Sequence, residues 1–357
     1  MDESQLKTPA ALGFRMPAEW NPHQATWLTW PKDPETWPDR VTQVEEIYLQ
    51  MIAALTPHEI VNLLVDDDDT EATIRDRVSA ATAAQIHFHH IQTVDSWIRD
   101  YGPNFLVGPN GESAFNDWIF NAWGNKYEEL KKDNSVPSRL ESFLKLKRFS
   151  PGIVMEGGSI EVNGAGCVLT TEQCLLNPNR NPELSREEIE QYLKDYLGVS
   201  KVLWLGEGIV GDDTDGHIDD IARFVAPNMI VCALEDDPED ANYEILQDNL
   251  ARLKSMTDAS GKPFEIVTLP MPGIVGGTST STRDLDRLPA SYANFYIANK
   301  VVLAPVFGHT NDEQAVETLR KLFATRQVVP INCEPLVWGM GTIHCITQQQ
   351  PSAFIRG

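Results

Sequence analysis

The sequence predicts an α/β fold built from one recurring unit, strand–strand–helix–strand. Apolar strand segments come in pairs. Each pair leads into an amphipathic helix and a further strand. The pattern returns about five times, at a period of roughly 60 to 70 residues. A fixed period of this size means supersecondary units that are either stacked or arranged radially. The 357 residues are 42% hydrophobic, enough for the large core such a fold needs. With no linker or low-complexity stretch in view, one domain spanning 1–357 is expected.

The elements follow in order. A strand is expected from Ala25 to Trp30. The next segment is helical, because Val41, Val44, Ile47, Tyr48, Met51, Ile52 and Leu55 fall on one face. Ile60 to Val65 is an apolar strand, and the acidic run 66–69 should cap the helix after it. His87, His89 and His90 alternate along another strand and read as surface residues. The second unit has strands at Phe105 to Val107 and Ser113 to Trp118, and a helix from Ser138 to Leu146. The third has strands at Ser159 to Val162 and Val168 to Thr170, a helix from Arg186 to Leu197 and a strand at Val202 to Leu205. The fourth has strands at Ile221 to Val225 and Met229 to Leu234, a helix from Ala241 to Leu253 and a strand at Phe264 to Leu269. The fifth has strands at Tyr292 to Ala298 and Val301 to Val306, a helix from Asp312 to Phe323 and a strand at Val328 to Ile331. Trp20, Trp27, Trp30 and Trp37 are expected mostly in the core, and 176–182 has turn chemistry throughout.

The polar motifs sit at matching places in these units. Asp100 precedes the second unit and Glu156 the third. His217 and Asp219 open the fourth, the Gly- and Thr-rich stretch 276–282 precedes the fifth, and Cys345 follows it. In a radial arrangement equivalent loops meet at one end, which would bring these distant segments to one pocket.

Cys345 lies between Gly339-Met340-Gly341 and a polar run, a setting suited to a nucleophilic thiolate. Cys167 and Cys232 lie in apolar strand segments. The five cysteines are odd in number and form no Cys-x-x-Cys pair, so neither a disulfide framework nor a thiolate zinc site is expected. If a strand begins at His217, then His217 and Asp219 point to one side and offer an imidazole and a carboxylate to one pocket. The loop 211–216 fails as a calcium loop, since Gly211 and Ala222 would hold the first and twelfth positions. Asp95 to Pro103 sets carboxylates beside Trp97 and Tyr101, which suits a planar cation. Glu156, before Gly157-Gly158, could orient the histidine or bind that cation.

The formal net charge of −23 disfavours nucleic acid and anionic membrane and favours a cationic small molecule. No apolar run reaches the roughly 18 residues that span a membrane. Met-Asp-Glu-Ser-Gln at the N-terminus does not begin a signal peptide, so a cytoplasmic protein is expected.

Four segments carry a resemblance: 95–103, 155–161, 212–220 and 343–351. Together they look like the signature segments of the agmatine deiminases, within the guanidine-modifying family that includes bacterial peptidylarginine deiminases. Segments 16–27 and 288–296 are similar too, so the likeness runs from about residue 14 to 351. It implies a pentein-type α/β propeller of five ββαβ units around a pseudo-five-fold axis. It also implies Cys345 as nucleophile and His217 as general acid/base. Asp100 and Asp219 would bind guanidinium, Glu156 would support the histidine and Trp97 would lie near the substrate. One departure stands out: Gly339-Met340-Gly341-Thr342 replaces an expected Gly-Gly-Asn or similar before Ile343.

The implied reaction is hydrolysis of agmatine to N-carbamoylputrescine and ammonia, a step toward putrescine, with no metal or organic cofactor. A homo-oligomer is compatible with this reading. Alternatives are a deiminase of free or peptidyl C-terminal arginine, a silent guanidine or polyamine binder, and an amidinotransferase. The arginine alternative needs a cation for the substrate carboxylate, for which Arg15, Arg180, Arg223 and Arg283 are available. Carboxylates near Cys345 should raise its pKa, so either a cationic His217 or the cationic substrate must stabilise the thiolate.

Overall fold

The computed structural model describes residues 8–273, 275–276 and 287–353. Its sixteen strands form five sheets, ordered β16-β1-β2-β3, β4-β5-β6, β7-β8-β9, β10-β11-β12 and β13-β14-β15. The strands are β1 (His23–Thr29), β2 (Ile60–Val65), β3 (Ile86–His90), β4 (Asn104–Val107), β5 (Ser113–Asn116), β6 (Lys147–Phe149), β7 (Glu161–Val162) and β8 (Cys167–Thr171). They continue with β9 (Lys201–Leu205), β10 (Ala222–Ala226), β11 (Met229–Leu234), β12 (Glu265–Pro270), β13 (Tyr296–Ile297), β14 (Val301–Val306), β15 (Gln327–Asn332) and β16 (Gln348–Pro351).

Each sheet repeats one arrangement. An antiparallel pair is joined to a parallel third strand, and a helix lies in sequence between the two parallel neighbours; the first sheet adds β3 as a further parallel strand. A parallel neighbour requires a crossover, and these helices supply it. They are Val41–Leu55, Val136–Leu144, Arg186–Leu197, Tyr243–Ser255 and Asp312–Leu322. The first buries Val44, Ile47, Tyr48, Met51, Ile52 and Leu55, as its periodicity predicts. Helix 186–197 opens with a reciprocal Ser185–Glu188 capping box and closes on Gly198 at φ 67°. Asp67 caps helix Asp68–Arg77 by accepting from the Thr70 N–H.

Three differences from the expected elements bear on function. Ser159, expected to start a strand, instead ends a 3₁₀ turn over 157–159, because Gly157 and Gly158 pack flush against other loops, and the strand starts at Glu161. The strand expected at 292–298 shortens to Tyr296–Ile297. Asn294 turns aside, and both its backbone and its side chain serve the 342–345 loop. The polar run 348–350 is strand β16, and it pairs antiparallel with β1, so the two ends of the chain share one sheet. No apolar alternation marks this strand. Its glutamines are nonetheless buried, with Gln350 accepting from the Trp27 indole (2.9 Å) and Gln349 from Arg99 Nη1 (2.7 Å).

Trp27, Trp30 and Trp37 are buried and Trp20 half-buried. His87 and His90 are exposed and His89 is half-buried. No helix among the described residues is long and apolar enough to cross a membrane.

Candidate active site

Loops at the ends of these sheets bring the predicted polar residues together. The short helix Ile98–Tyr101 carries Asp100 and abuts the 157–159 turn. At Gly158 an added Cβ would lie 2.6 Å from His217 Nδ1, 2.8 Å from Asp100 Oδ1 and 3.1 Å from Asp219 Oδ2. Side chains from two distant segments, Asp100 and the pair His217 and Asp219, therefore converge on one glycine, which only a residue without a side chain permits. Across the same space, Cys345 Sγ lies 3.8 Å from Asp219 Oδ2.

His217 does not begin a strand. It caps a 3₁₀ turn, Ile218–Asp220, and β10 starts only at Ala222. The reason lies upstream. The Asp212 carboxylate accepts from the N–H groups of Thr214 (2.7 Å), Gly216 (2.8 Å) and His217 (3.1 Å), winding 212–217 into a compact loop. Both ring nitrogens of His217 are buried without a hydrogen-bond partner, and Nδ1 is 3.7 Å from Asp100 Oδ1. Asp219 Oδ1 and Glu156 Oε2 are also buried and unpartnered. Such groups are uncommon in a folded protein, and four atoms at one place call for an explanation.

Glu156 makes no hydrogen bond to His217, although their ligand atoms lie within 4.8 Å. Its other oxygen instead accepts from Arg180 Nε at 2.7 Å. Arg180 in turn holds Asp215 (2.6 Å) and the Thr214 carbonyl (2.8 Å), tying Glu156 to the histidine loop. Arg180 is thus a structural partner of the site and not a receptor for a substrate carboxylate. The same holds for Arg223, buried against Glu161 (2.9 Å), Glu19 (2.9 Å) and the Phe295 carbonyl. Arg15 is exposed and pairs through its backbone with Val107. Arg283 and positions 277–282 lie outside the described residues.

A cleft of about 710 Å³ leads to this cluster, and Trp97, Asp100, Trp123 and Cys345 line it. Its walls also carry Asp33, Glu35, Asp95, Glu128, Glu129 and Asp213. Lys126 is the one amine among the described lining residues, and it is paired with Asp215 at 2.9 Å.

The electrostatics follow from burial and from the crowded carboxylates. Burial, then Asp219, Asp220 and Asp100, push the Cys345 thiol well above its ordinary value. Burial lowers His217 to about 3, so the ring is neutral. Asp100 is pushed well up by burial and by Asp219 and Glu156. Glu156 is raised because burial outweighs Arg180. Asp219 goes the other way. Burial opposes its charge, yet the hydrogen bond and charge of His344 outweigh it and hold the carboxyl below its usual value. Among the described residues, Glu156, Cys174 and His217 bring possible metal-ligand atoms within 4.8 Å of one another, as do Asp219, Asp220 and Cys345. Arg180 pairs with Glu156 in the first group, and His344 contacts Asp219 in the second.

Comparison with known proteins decides the family. The model for Porphyromonas-type peptidyl-arginine deiminase matches residues 15–351. The chain belongs to this peptidyl-arginine deiminase family. A relative named agmatine deiminase, from Stutzerimonas stutzeri, is 38% identical, with 98% of each chain covered. The agmatine deiminase of Pseudomonas syringae pv. tomato is 37% identical over 97% of this chain and 98% of its own. The solved structure described as agmatine deiminase of Enterococcus faecalis catalysing its reaction superposes with a TM-score of 0.91. It is 36% identical, and 98% of each chain is covered. The fold is the mixed α/β fold of that structure.

The loop before Cys345 is Gly339-Met340-Gly341-Thr342, where the resemblance led to the expectation of Gly-Gly-Asn or similar. Met340 adopts φ 73°, a left-handed conformation that glycine takes without strain and that costs another residue about 1–2 kcal/mol. The loop thus keeps a glycine-like path with a methionine in the cleft wall. Three further residues at this cluster were not read from the sequence. Trp123 donates to Asp100 Oδ2 (2.9 Å), Asn294 Nδ2 is 3.2 Å from Cys345 Sγ, and His344 contacts Asp219 (2.7 Å). Each had a signal: the turn-forming Gly-Asn after Trp123, the position of Asn294 in segment 288–296, and the adjacency of His344 to Cys345.

Proposed function

We propose that this chain hydrolyses the guanidinium group of agmatine, giving N-carbamoylputrescine and ammonia, a step toward putrescine. One observation carries the reading. A buried thiol, a neutral imidazole and carboxylates with unpartnered oxygens face one another at the end of an acidic cleft.

In this reading Asp219 meets the arriving cation as a carboxylate. Asp100, whose carboxyl burial and its acidic neighbours push up, is favoured as a carboxylate by the arriving positive charge and gives any proton it holds to water leaving the cleft, so that the two hold the cation by charge-assisted hydrogen bonds. Trp97 stacks beside it. The same positive charge favours loss of the Cys345 proton, and neutral His217 accepts it. A histidine lowered to about 3 suits this substrate-triggered route and not a standing thiolate–imidazolium pair. The thiolate attacks the central carbon, and a C–S bond forms. The tetrahedral adduct collapses as His217 returns the proton to the departing nitrogen, releasing ammonia and leaving an S-alkylthiouronium. Neutral His217 then takes a proton from water, and the resulting oxygen nucleophile attacks the same carbon. The C–S bond breaks, the hydroxyl proton of the adduct passes to the departing sulfur to free the carbamoyl product and the thiol, and His217 releases its proton to solvent. Glu156, held by Arg180, supports His217 through both proton transfers. General acid/base help of this kind is worth roughly 10²- to 10⁴-fold.

The cleft favours agmatine over arginine. Its walls are lined with carboxylates, which suit a second amine and repel a substrate carboxylate. An ammonia-release assay on agmatine, arginine and an arginine-terminated peptide tests this, and agmatine should be preferred by orders of magnitude. Preference for the peptide would overturn it. A silent binder would survive Cys345→Ser unchanged, and an amidinotransferase would release no ammonia.

The same reading takes the five sheets as blades of a five-bladed α/β propeller in one domain, 1–357. Support comes from their common strand order and from β16 pairing with β1. The five unpaired cysteines fit a reducing compartment, the cytoplasm.

A further inference from the structure

His344, immediately before Cys345, sits between two buried carboxylates. Its Nδ1 lies 2.7 Å from Asp219 Oδ2, and its Nε2 lies 2.7 Å from Glu19 Oε2. All three side chains are almost fully excluded from solvent. An ionised carboxylate only accepts hydrogen bonds. Both contacts can therefore be made at once only if each ring nitrogen carries a proton, or if one carboxyl does.

The surroundings favour the ring. Glu19 is met from several sides: the Ile297 N–H donates to Oε1 (2.7 Å), Arg223 Nη2 pairs with Oε1 (2.9 Å), and Arg99 Nη2 lies 3.6 Å from Oε2. A proton on Glu19 would leave these cations facing a neutral acid. Glu161 also lies close to Glu19 and His344, and it shares Arg223. On the other side, Asp219 faces Cys345, His217 and Asp100, none of which is a standing cation. The backbone of His344 is fixed as well, since its N–H donates to Asn294 and its carbonyl accepts from Arg99 Nε.

We propose that His344 is a standing imidazolium that positions Asp219. It locks Oδ2 and leaves the unpartnered Oδ1 directed at the substrate guanidinium. His344 does not touch substrate; it acts through Asp219, as an outer partner fixes a ligating group. The chain from Arg223 and Arg99 through Glu19 and His344 to Asp219 would then hold one jaw of the guanidinium grip ionised beside Asp100, whose carboxyl burial and its acidic neighbours push up. This inference rests on the reading of Asp219 as a substrate-binding carboxylate.

Two experiments test it. Neutron diffraction from the deuterated, ligand-free chain at mildly alkaline pD should show deuterons on both Nδ1 and Nε2 of His344. A deuteron on one nitrogen only, or on Glu19 or Asp219, overturns the proposal. This readout needs no variant and no turnover, so it stands even if the catalytic reading fails. A double-mutant cycle tests the action through Asp219. His344→Gln should lower kcat/KM by about 10²-fold, the scale of a small misplacement of a reacting group. In an Asp219→Asn background the same change should cost almost nothing further. Equal losses in both backgrounds would show that His344 acts elsewhere. Inactivity of Cys345→Ala is a separate result that bears only on the catalytic reading.

Discussion

The indole N–H of Trp123 donates to Asp100 Oδ2 across 2.9 Å, while the Gly158 N–H donates to Oδ1 of the same carboxyl at the same distance. Trp123 reaches it from a left-handed turn in which Ala122, Trp123, Gly124 and Asn125 all have positive φ, at 55°, 52°, 89° and 64°. Three of these are not glycine, so the backbone carries strain of the kind held at binding sites. Asn121 offsets part of it by accepting from the Gly124 N–H. Trp123→Phe keeps the ring and removes the donor. KM for agmatine should rise about tenfold, the value of roughly one hydrogen bond to a charged group. An unchanged KM would mean that the strain serves something other than Asp100.

Gly158→Ala should lower kcat/KM by at least about 10²-fold. The new methyl would overlap His217 and Asp100 at less than 3 Å and drive apart the groups that act on substrate. Steady-state kinetics beside a thermal melt checks this. Near-normal activity would place the chemistry away from this glycine.

His217 makes stability depend on pH with a definite sign. Its folded value is about 3 against an ordinary 6.5, so the folded state resists protonation. The stability it contributes is fully present above about pH 6.5 and is lost as pH falls toward about 3. Glu19 and Asp219, held below the usual carboxylate range, lose their contribution only below about pH 4. Urea midpoints measured across this range should fall less steeply for His217→Gln than for the parent chain. Parallel slopes would contradict a buried neutral ring.

The last strand should matter as much as the core. Gln350→Ala leaves the buried Trp27 indole N–H without its acceptor, at a cost of about 1–3 kcal/mol. Chemical denaturation should show a lower midpoint with an unchanged slope. A neutral effect would mean that β16 contributes little to holding the chain's ends together.

Much of this could be read from the sequence because apolar periodicity marks buried helices and strands directly. Helices 41–55 and 186–197 and strands β2, β11 and β14 lie where that pattern puts them. Asp100, Asp219, Glu156, His217 and Cys345 could be singled out because acids, an imidazole and a thiol stand out among glycines, and the fold brings them together. What escaped was held by long-range hydrogen bonding, which leaves no periodic trace. β16 is made of glutamines paid for by Trp27 and Arg99. His344 and Trp123 look like ordinary motif neighbours until Asp219 and Asp100 are seen beside them. The Arg180–Glu156 pair joins two motifs that read as separate.

The most direct test is the mass of the Cys345 peptide after acid quench during slowed turnover of agmatine. The account predicts an added amidino group bearing the aminobutyl chain on Cys345, absent in Cys345→Ser. Ammonia release with Cys345 unmodified throughout, or an adduct on another residue, would contradict it.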